Sequence, residues 1–293
     1  LRTLPRMPGF SLPFILTLGL GIGANTAIFS VVNAVMLRPL PYQQPDRLVW
    51  VAERNDKLNL PTFAASALNY PSWKEQQTTF SQFGAVGFAN FNLTGQGEPE
   101  QFSGGTLTPS LFPMLGIKPV LGRAFADGED RAGSARDAMI GEGLWKRRFG
   151  GDPSIVGRNI TLSDVDYTVV GIAPASLALL SNGDIWIPMT IQPEREIRLN
   201  HVILVTGRLR PGVTLEQAQT EMDAVAARVS QQYPDVRDWG IRLVEYYNVF
   251  VSPQLQTALV VLLAAVGCVL LIASANAANL LLARATARQK EIA

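Results

Sequence analysis

Two stretches of the chain carry no charge: the 31 residues between Arg6 and Arg38, and the 38 residues between Glu245 and Arg284. In the first, Phe10–Leu37 reads as one apolar helix. About 28 residues at roughly 1.5 Å each reach about 42 Å, more than the ~30 Å of hydrocarbon a span must cross. Pro13 is expected near the start, where a missing N–H costs least, and Pro39 and Pro41 are expected to stop the helix after Leu37. The second stretch, centred on Ala258–Ala273, runs longer without charge than a buried helix of a soluble domain requires. The pattern predicts two transmembrane helices, 10–37 and 253–283, bracketing a water-exposed region, 38–252.

Inside that region the hydrophobic period changes repeatedly. Arg47–Ala52 reads as a strand, Tyr70–Gln77 as part of a helix, and Phe83–Leu93 as a strand rich in aromatics. Ser110–Gly116 looks like a short helix closed by its glycine. Val202–Leu209 is a strand turned by Pro211 and Gly212. Thr214 and Gln217 form a capping-box pattern that opens a helix through about Gln232, with Leu215, Ala218, Met222, Val225 and Val229 near one face. Ile241–Val244 is a last strand. Residues 126–199 differ, offering short runs between turns: Ala138–Ile140, Ser154–Gly157, Asn159–Leu162, Tyr167–Gly171 and Asp184–Pro188. The expected architecture is an α+β layer assembled from 44–125 and 200–250, with an inserted β-rich subdomain at 126–199.

Charge sharpens this division. All 49 charged residues fall in the other 224 positions, about 22% of them, close to the roughly 25% of soluble sequence. A net charge of +1 gives no electrostatic reason for a nucleic-acid partner. Arg284, Arg288 and Lys290 follow the second span, whereas the nearest basic residue before it is Arg242, so the C-terminal side is expected in the cytoplasm. With two spans the N-terminus, carrying Arg2 and Arg6, is cytoplasmic too. Residues 1–9 and 284–293 then lie inside and the large region outside. A secretory leader is the competing reading of the N-terminus. The apolar run exceeds an h-region of about 7–15 residues, and no small-x-small cleavage pattern follows it.

The spans contain more than an anchor needs. Gly19, Gly23 and Ala27 recur every four residues and make a smooth ridge on which another helix can approach closely. Asn25 and Asn33 lie in the same helix, and Asn276 and Asn279 in the last turns of the second. An amide in hydrocarbon wants a partner, so these groups either pack the two spans together or meet further helices. Without an intramembrane carboxylate or histidine, no ion pathway is suggested.

Little in the outer region points to catalysis. His201 is the only histidine, which disfavours a His-rich zinc site and a compact Ser-His-Asp triad; it is expected at a domain edge. No phosphate-binding P-loop occurs, and Gly19-x-Gly21-x-Gly23 has the wrong spacing for a dinucleotide fold. Asp127, Glu129 and Asp130 read as a solvated charge cluster rather than a cation site. Cys268 lies within the second span, so there is no disulfide framework. No catalytic, cofactor-binding or metal-ligating set is expected.

Longer motifs carry a family resemblance. Gly21–Tyr42 and Leu270–Ala293 resemble the first and second transmembrane segments of MacB/FtsX-type ABC-transporter permeases, of the bacterial orphan or duplicated branch. Leu115–Phe125 and Leu144–Arg158 are similar to that family's periplasmic core domain. Ser274 stands where relatives often carry cysteine. The resemblance implies a porter-like fold with a β-rich insertion. It also implies four spans per permease unit, which would make this chain a fragment. Such permeases work as dimers or internally duplicated chains beside a cytoplasmic ABC ATPase, which binds the ATP. An adaptor or outer-membrane channel is a further expected partner, besides the lipid bilayer of the inner membrane. Arg284, Arg288, Lys290 and Glu291 would begin the segment reaching toward the ATPase, or simply set topology. Two functions follow: mechanical coupling of ATP hydrolysis to the periplasmic domain for efflux, or an FtsX-like regulator that binds an envelope partner without transport.

Overall fold

The computed structural model describes residues 8–37, 40–95, 97–181 and 183–292. Among the span side chains, those of 8–15, 17, 18, 37, 280, 281 and 283–292 lie outside the description. The chain divides into two compact units, one formed by the two ends and one by residues 40–249.

The first unit is a pair of long helices. Helix α1 runs Pro8–Val32 and ends in a single π turn over Asn33–Leu37. It starts two residues earlier than expected, so Pro13 falls beyond the first turn. Helix α8 is continuous over Pro253–Ile292 and does not break at 283. Two stretches are long and apolar enough to cross a membrane: Gly19–Met36, mean hydropathy 1.4, and Pro253–Asn279, mean hydropathy 2.8.

The second unit is built on one mixed sheet of 12 strands. Strand β1 is Leu48–Asn55, β2 Leu60–Phe63 and β3 Ala65–Ser66, followed by helix α2, Asn69–Gln76. The long β4, Phe80–Thr94, pairs antiparallel with β5, Glu100–Leu107. A short helix α3, Leu111–Leu115, ends at Gly116, whose φ of 70° is the left-handed cap that glycine adopts without a steric cost. Then come β6 (Leu121–Gly122), β7 (Asp137–Gly141) and helix α4 (Glu142–Phe149). They are followed by β8 (Asn159–Leu162), β9 (Val165–Ala173), helix α5 (Ala175–Ser181) and β10 (Ile185–Pro188). Strand β11, His201–Leu209, leads to helix α6, Leu215–Gln232, β12, Gly240–Glu245, and the short α7, Tyr246–Phe250.

The main strand order is β12-β1-β11-β4-β5-β10-β7-β9-β6, with β2 beside β1, β3 beside β11, and β8 bridging β4 and β9. Most pairs are antiparallel, but β10 runs parallel to β5 and β7 parallel to β9. Helix α6 shows why its sequence was readable. Thr214 Oγ1 accepts the Gln217 N–H at 3.2 Å, and Gln217 Oε1 accepts the Thr214 N–H at 3.0 Å. Ala218, Met222, Val225 and Val229 are buried along one face, over the core that includes Val51, Trp73, Phe80 and Val205.

The sheet is not interrupted at residues 126 and 199, the expected limits of the insertion. Strand β10 pairs with β5 in the same sheet, and the core around Ile140, Leu144 and Val169 also takes in Phe91, Leu93 and Phe102 from β4 and β5. Three segments differ from their sequence reading. Ser154–Gly157 is not a strand: Pro153–Ile155 is a 3-10 turn, in which the Asp152 carboxylate accepts the Ser154 N–H at 2.9 Å. Glu142–Phe149 and Ala175–Ser181, within the stretch read as short β-like runs, are helices.

Candidate functional site

The span pair meets along the side opposite to the glycine ridge. A Cβ built on Gly21 would stand 3.4 Å from Leu270 Cδ1 and 3.8 Å from the Ala273 methyl, and among the described residues nothing lies within 4 Å of one built on Gly19 or Gly23. Asn25 Nδ2 donates to the Val266 carbonyl across the pair at 3.2 Å. At about 100° per residue, Gly21, Asn25, Ile28 and Val32 share one face of α1, while Gly19, Gly23 and Ala27 fall on the other. Val32 and Ala273 are buried, whereas Gly19, Gly23 and Ala27 are exposed. Among the described residues, the ridge therefore does not pack the two spans together. On that side, Thr26 and Ser30 return their hydroxyls to the carbonyls of Ile22 and Thr26, at 2.8 and 2.7 Å. Asn33 is half-buried in the π turn, and Asn276 and Asn279 are exposed on α8. The side chains of Arg284, Arg288, Lys290 and Glu291 lie outside the described residues.

In the second unit, the segments that continue into the spans are gripped by one core. The entry segment, 40–47, begins with half-buried Leu40 and buried Tyr42. Tyr42 donates its hydroxyl to the Ser176 carbonyl at 3.1 Å and meets the Tyr246 ring edge-on, with centroids 6.1 Å apart. Tyr246 opens the exit segment, so residues 204 apart in sequence share one packing site, together with Leu48, Leu107, Met114 and Trp186. Burial, with the charge of Tyr246 adding to it, raises the Tyr42 pKa well above that of a free phenol. Burial also pushes Tyr246 up to about 12, against a hydrogen bond with Thr206. Both rings stay neutral at any physiological pH.

Arginines secure the entry segment. Arg47 Nε donates to the Leu209 carbonyl at 3.0 Å and Nη1 to Gln44 Oε1 at 2.7 Å. Arg208, buried on β11, reaches the carbonyls of Gln44 at 2.9 Å and Gln43 at 2.5 Å, and also that of Met114. Its pKa is lowered, first by desolvation and then by Arg47, with Asp46 opposing.

Elsewhere the sequence expectations are redistributed. His201 opens β11, but it is not an edge residue. Its ring is buried against the Glu53 carboxylate and stacks on Trp239 with centroids 3.9 Å apart. Glu53 also accepts from the Ser66 N–H at 3.2 Å and from Asn69 Nδ2 at 2.6 Å. The three acidic residues do not form one solvated cluster. Glu129 pairs with Arg123 at 2.8 Å, and Arg123 reaches buried Asp137 at 2.7 Å. Asp127 and Asp130 instead flank an open cleft of about 1200 Å³, lined also by Tyr70, Lys74, Phe83 and Arg210. Among the described residues, no group of three His, Cys, Asp or Glu is placed to hold a metal ion. Sequence reading missed Arg208 and Tyr246; the available signal was an arginine closing an otherwise apolar strand, and a tyrosine pair just before the second span.

Comparison with known proteins gives one consistent family. The model of the MacB-like periplasmic core domain matches residues 11–225. A macrolide export ATP-binding/permease protein MacB from Burkholderia thailandensis is 28% identical over 117 residues, 38% of this chain and 18% of its own length. The chain thus spans less than a fifth of that curated relative. Two solved structures share the fold. A permease-protein domain from Porphyromonas gingivalis gives a TM-score of 0.53 at 19% identity, covering 70% of this chain and 93% of that one. The periplasmic region of MacB from Actinobacillus actinomycetemcomitans gives 0.52 at 11% identity, covering 71% and 93%.

Proposed function

Since the chain belongs to the MacB-like periplasmic core domain family, and so carries an ABC-transporter permease-type outer domain, we propose that it is the mechanical half of an ATP-driven exporter. In this reading a cytoplasmic ATPase partner binds and hydrolyses ATP, the spans carry the resulting displacement across the inner membrane, and the outer domain moves to drive efflux. Two permease copies, or one copy and an internally duplicated second half, would complete the unit. An adaptor or outer-membrane channel would receive the substrate. Both chain ends would face the cytoplasm, where Arg284, Arg288, Lys290 and Glu291 extend α8 toward the ATPase. The exposed ridge of Gly19, Gly23 and Ala27 is then free for a helix beyond this pair.

The observation that carries the proposal is the shared seat of Tyr42 and Tyr246, at 6.1 Å between ring centroids. Two connectors held in one core pass a displacement of the spans to the sheet as a unit. Separately tethered connectors would let the domain swivel. The test places a spin label at exposed Asp166, on a Cys268→Ser background, in the permease reconstituted with its genomic-neighbour ATPase. Label-to-label distances between the two copies should shift on trapping with ATP and vanadate. An ATPase that traps nucleotide while the outer-domain distances stay fixed would overturn the reading.

A further inference from the structure

The entry segment has no secondary structure to hold it beyond one 3-10 turn at Pro45–Arg47. A covalent link alone would let it peel from the sheet when its span moves. Besides the Tyr42 seat and the Arg47 bond to Leu209, a set of contacts converging on one guanidinium binds it. Arg208 donates to the carbonyls of Gln43 and Gln44 in the segment, to the Met114 carbonyl at the end of α3, and through Nε to Gln82 Oε1 on β4 at 3.2 Å. It projects from β11, which lies between β1 and β4 in the sheet. The residue is 6% exposed, so these bonds have little competition from water. Backbone geometry favours the same seat. The Gln43 N–H donates to the Leu115 carbonyl at 3.0 Å, and the Gln43 side chain lies where a Cβ on Gly116 would stand. Gln44 itself takes a left-handed φ of 43°, which turns consecutive carbonyls toward the arginine.

We infer that Arg208 is the positioning residue that clasps the entry segment to the sheet and to α3, so that a displacement of the first span reaches β11 instead of being lost in a slack connector. The fork geometry matters. A guanidinium presents five N–H groups in a plane and can hold three carbonyls and an amide oxygen together, whereas a lysine ammonium is a point donor on a flexible stem. The inference rests on the mechanical reading above, but its test uses no nucleotide and no ATPase, so either can fail alone.

The experiment uses the full chain in nanodiscs, comparing wild type with Arg208→Met, Arg208→Lys and Gln82→Ala. Hydrogen exchange at the Gln43 and Arg47 amides should accelerate at least about tenfold in Arg208→Met and less in the other two, with Val205 and Ala85 amides unchanged. A second measurement pulls on handles at Pro41→Cys and Val249→Cys in a Cys268→Ser background. Wild type should yield in one event. Arg208→Met should first release the segment in a separate low-force step of about 25 Å, from the seven residues 41–47 at about 3.5 Å each. A residue that merely stabilises the fold would lower the main unfolding force without creating that step. Should Arg208→Met fail to fold, Gln82→Ala and Arg208→Lys decide. Wild-type protection of Gln43 and Arg47 in the variants that fold, or loss of protection spread evenly over the sheet, overturns the inference.

Discussion

Among the described residues, nothing lies within 4 Å of where a Cβ on Gly19 or Gly23 in α1 would stand, whereas a Cβ on Gly104 in β5 would overlap the Ile185 carbonyl and come within 2.7 Å of the Phe91 ring. The same residue type answers two solvents. In the outer domain, water drives apolar side chains together and the backbone closes until only hydrogen fits at certain crossings. In the spans, lipid is as apolar as the side chains, so nothing forces the ridge shut until another protein surface arrives. Exposure follows suit. Leu20 and Leu271 are 72% and 71% exposed, while Leu107 and Leu144 are fully buried. Polar groups divide in the same way: Asn25 bridges the spans by one bond, but Asn69 sits in a buried network with Glu53 and Arg198.

The two solvents differ most at Gly104. Gly104→Val should cost about 3 kcal/mol or more, because relief requires moving the β5–β10 pairing rather than a side chain; urea unfolding followed by tryptophan fluorescence measures it. An unchanged midpoint would mean that the sheet tolerates what the span does. The equivalent Gly19→Val should leave the midpoint of the outer domain and the association of the two spans unaltered.

Glu221 tests the watery side through pH. Burial opposes its charge, but Thr78 and Thr79 donate two backbone and two hydroxyl hydrogen bonds at 2.5–2.9 Å, which together hold its pKa below the usual glutamate value. A depressed carboxylate pKa adds stability that is complete above the unfolded value near 4.5 and is lost as pH falls through the folded one. Glu221→Gln should therefore lower stability at pH 7 by about 1 kcal/mol and flatten the acid limb below about pH 5. Denaturation midpoints from pH 7 to pH 3 give the slope, and an acid limb as steep as wild type would remove Glu221 from this role.

Smaller effects are expected in the spans. Gly21→Val should weaken their pairing by about 1 kcal/mol, since a side chain would press on Leu270 and Ala273. Asn25→Ala should cost only about 0.6 kcal/mol, a usual value for one interhelical bond in lipid. Steric trapping or disulfide exchange between engineered cysteines on α1 and α8 resolves both. If Gly23→Val outweighed Gly21→Val, the assigned faces of α1 would be reversed.

Much of the outer fold was legible because local rules and tertiary packing agree there. The capping box of α6 and the glycine closing α3 are satisfied within a few residues of themselves. Strand β5 was not legible. Its Glu-Gln-Phe-Ser-Gly-Gly-Thr-Leu has no alternation, and it becomes a strand because β4 and β10 approach from both sides over Gly104 and Gly105. Helix α4 was hidden in a similar way. Trp145, Lys146, Arg147 and Arg148 offer no continuous apolar stripe, and a single buried Leu144 anchors it beneath β7 and β9.

Composition over twenty or more residues sets solvent preference, and so two uncharged rods flanking a charged domain are already written in the order of the amino acids. That order also determines the helix and strand boundaries wherever a cap or a period is local. Packing between distant segments settles which face of α1 meets α8, buries His201 against Glu53, and brings Tyr42, Arg208 and Tyr246 around the entry segment. Those are contacts between residues far apart in the chain, and the free energy that selects them belongs to the packed pair rather than to either segment alone.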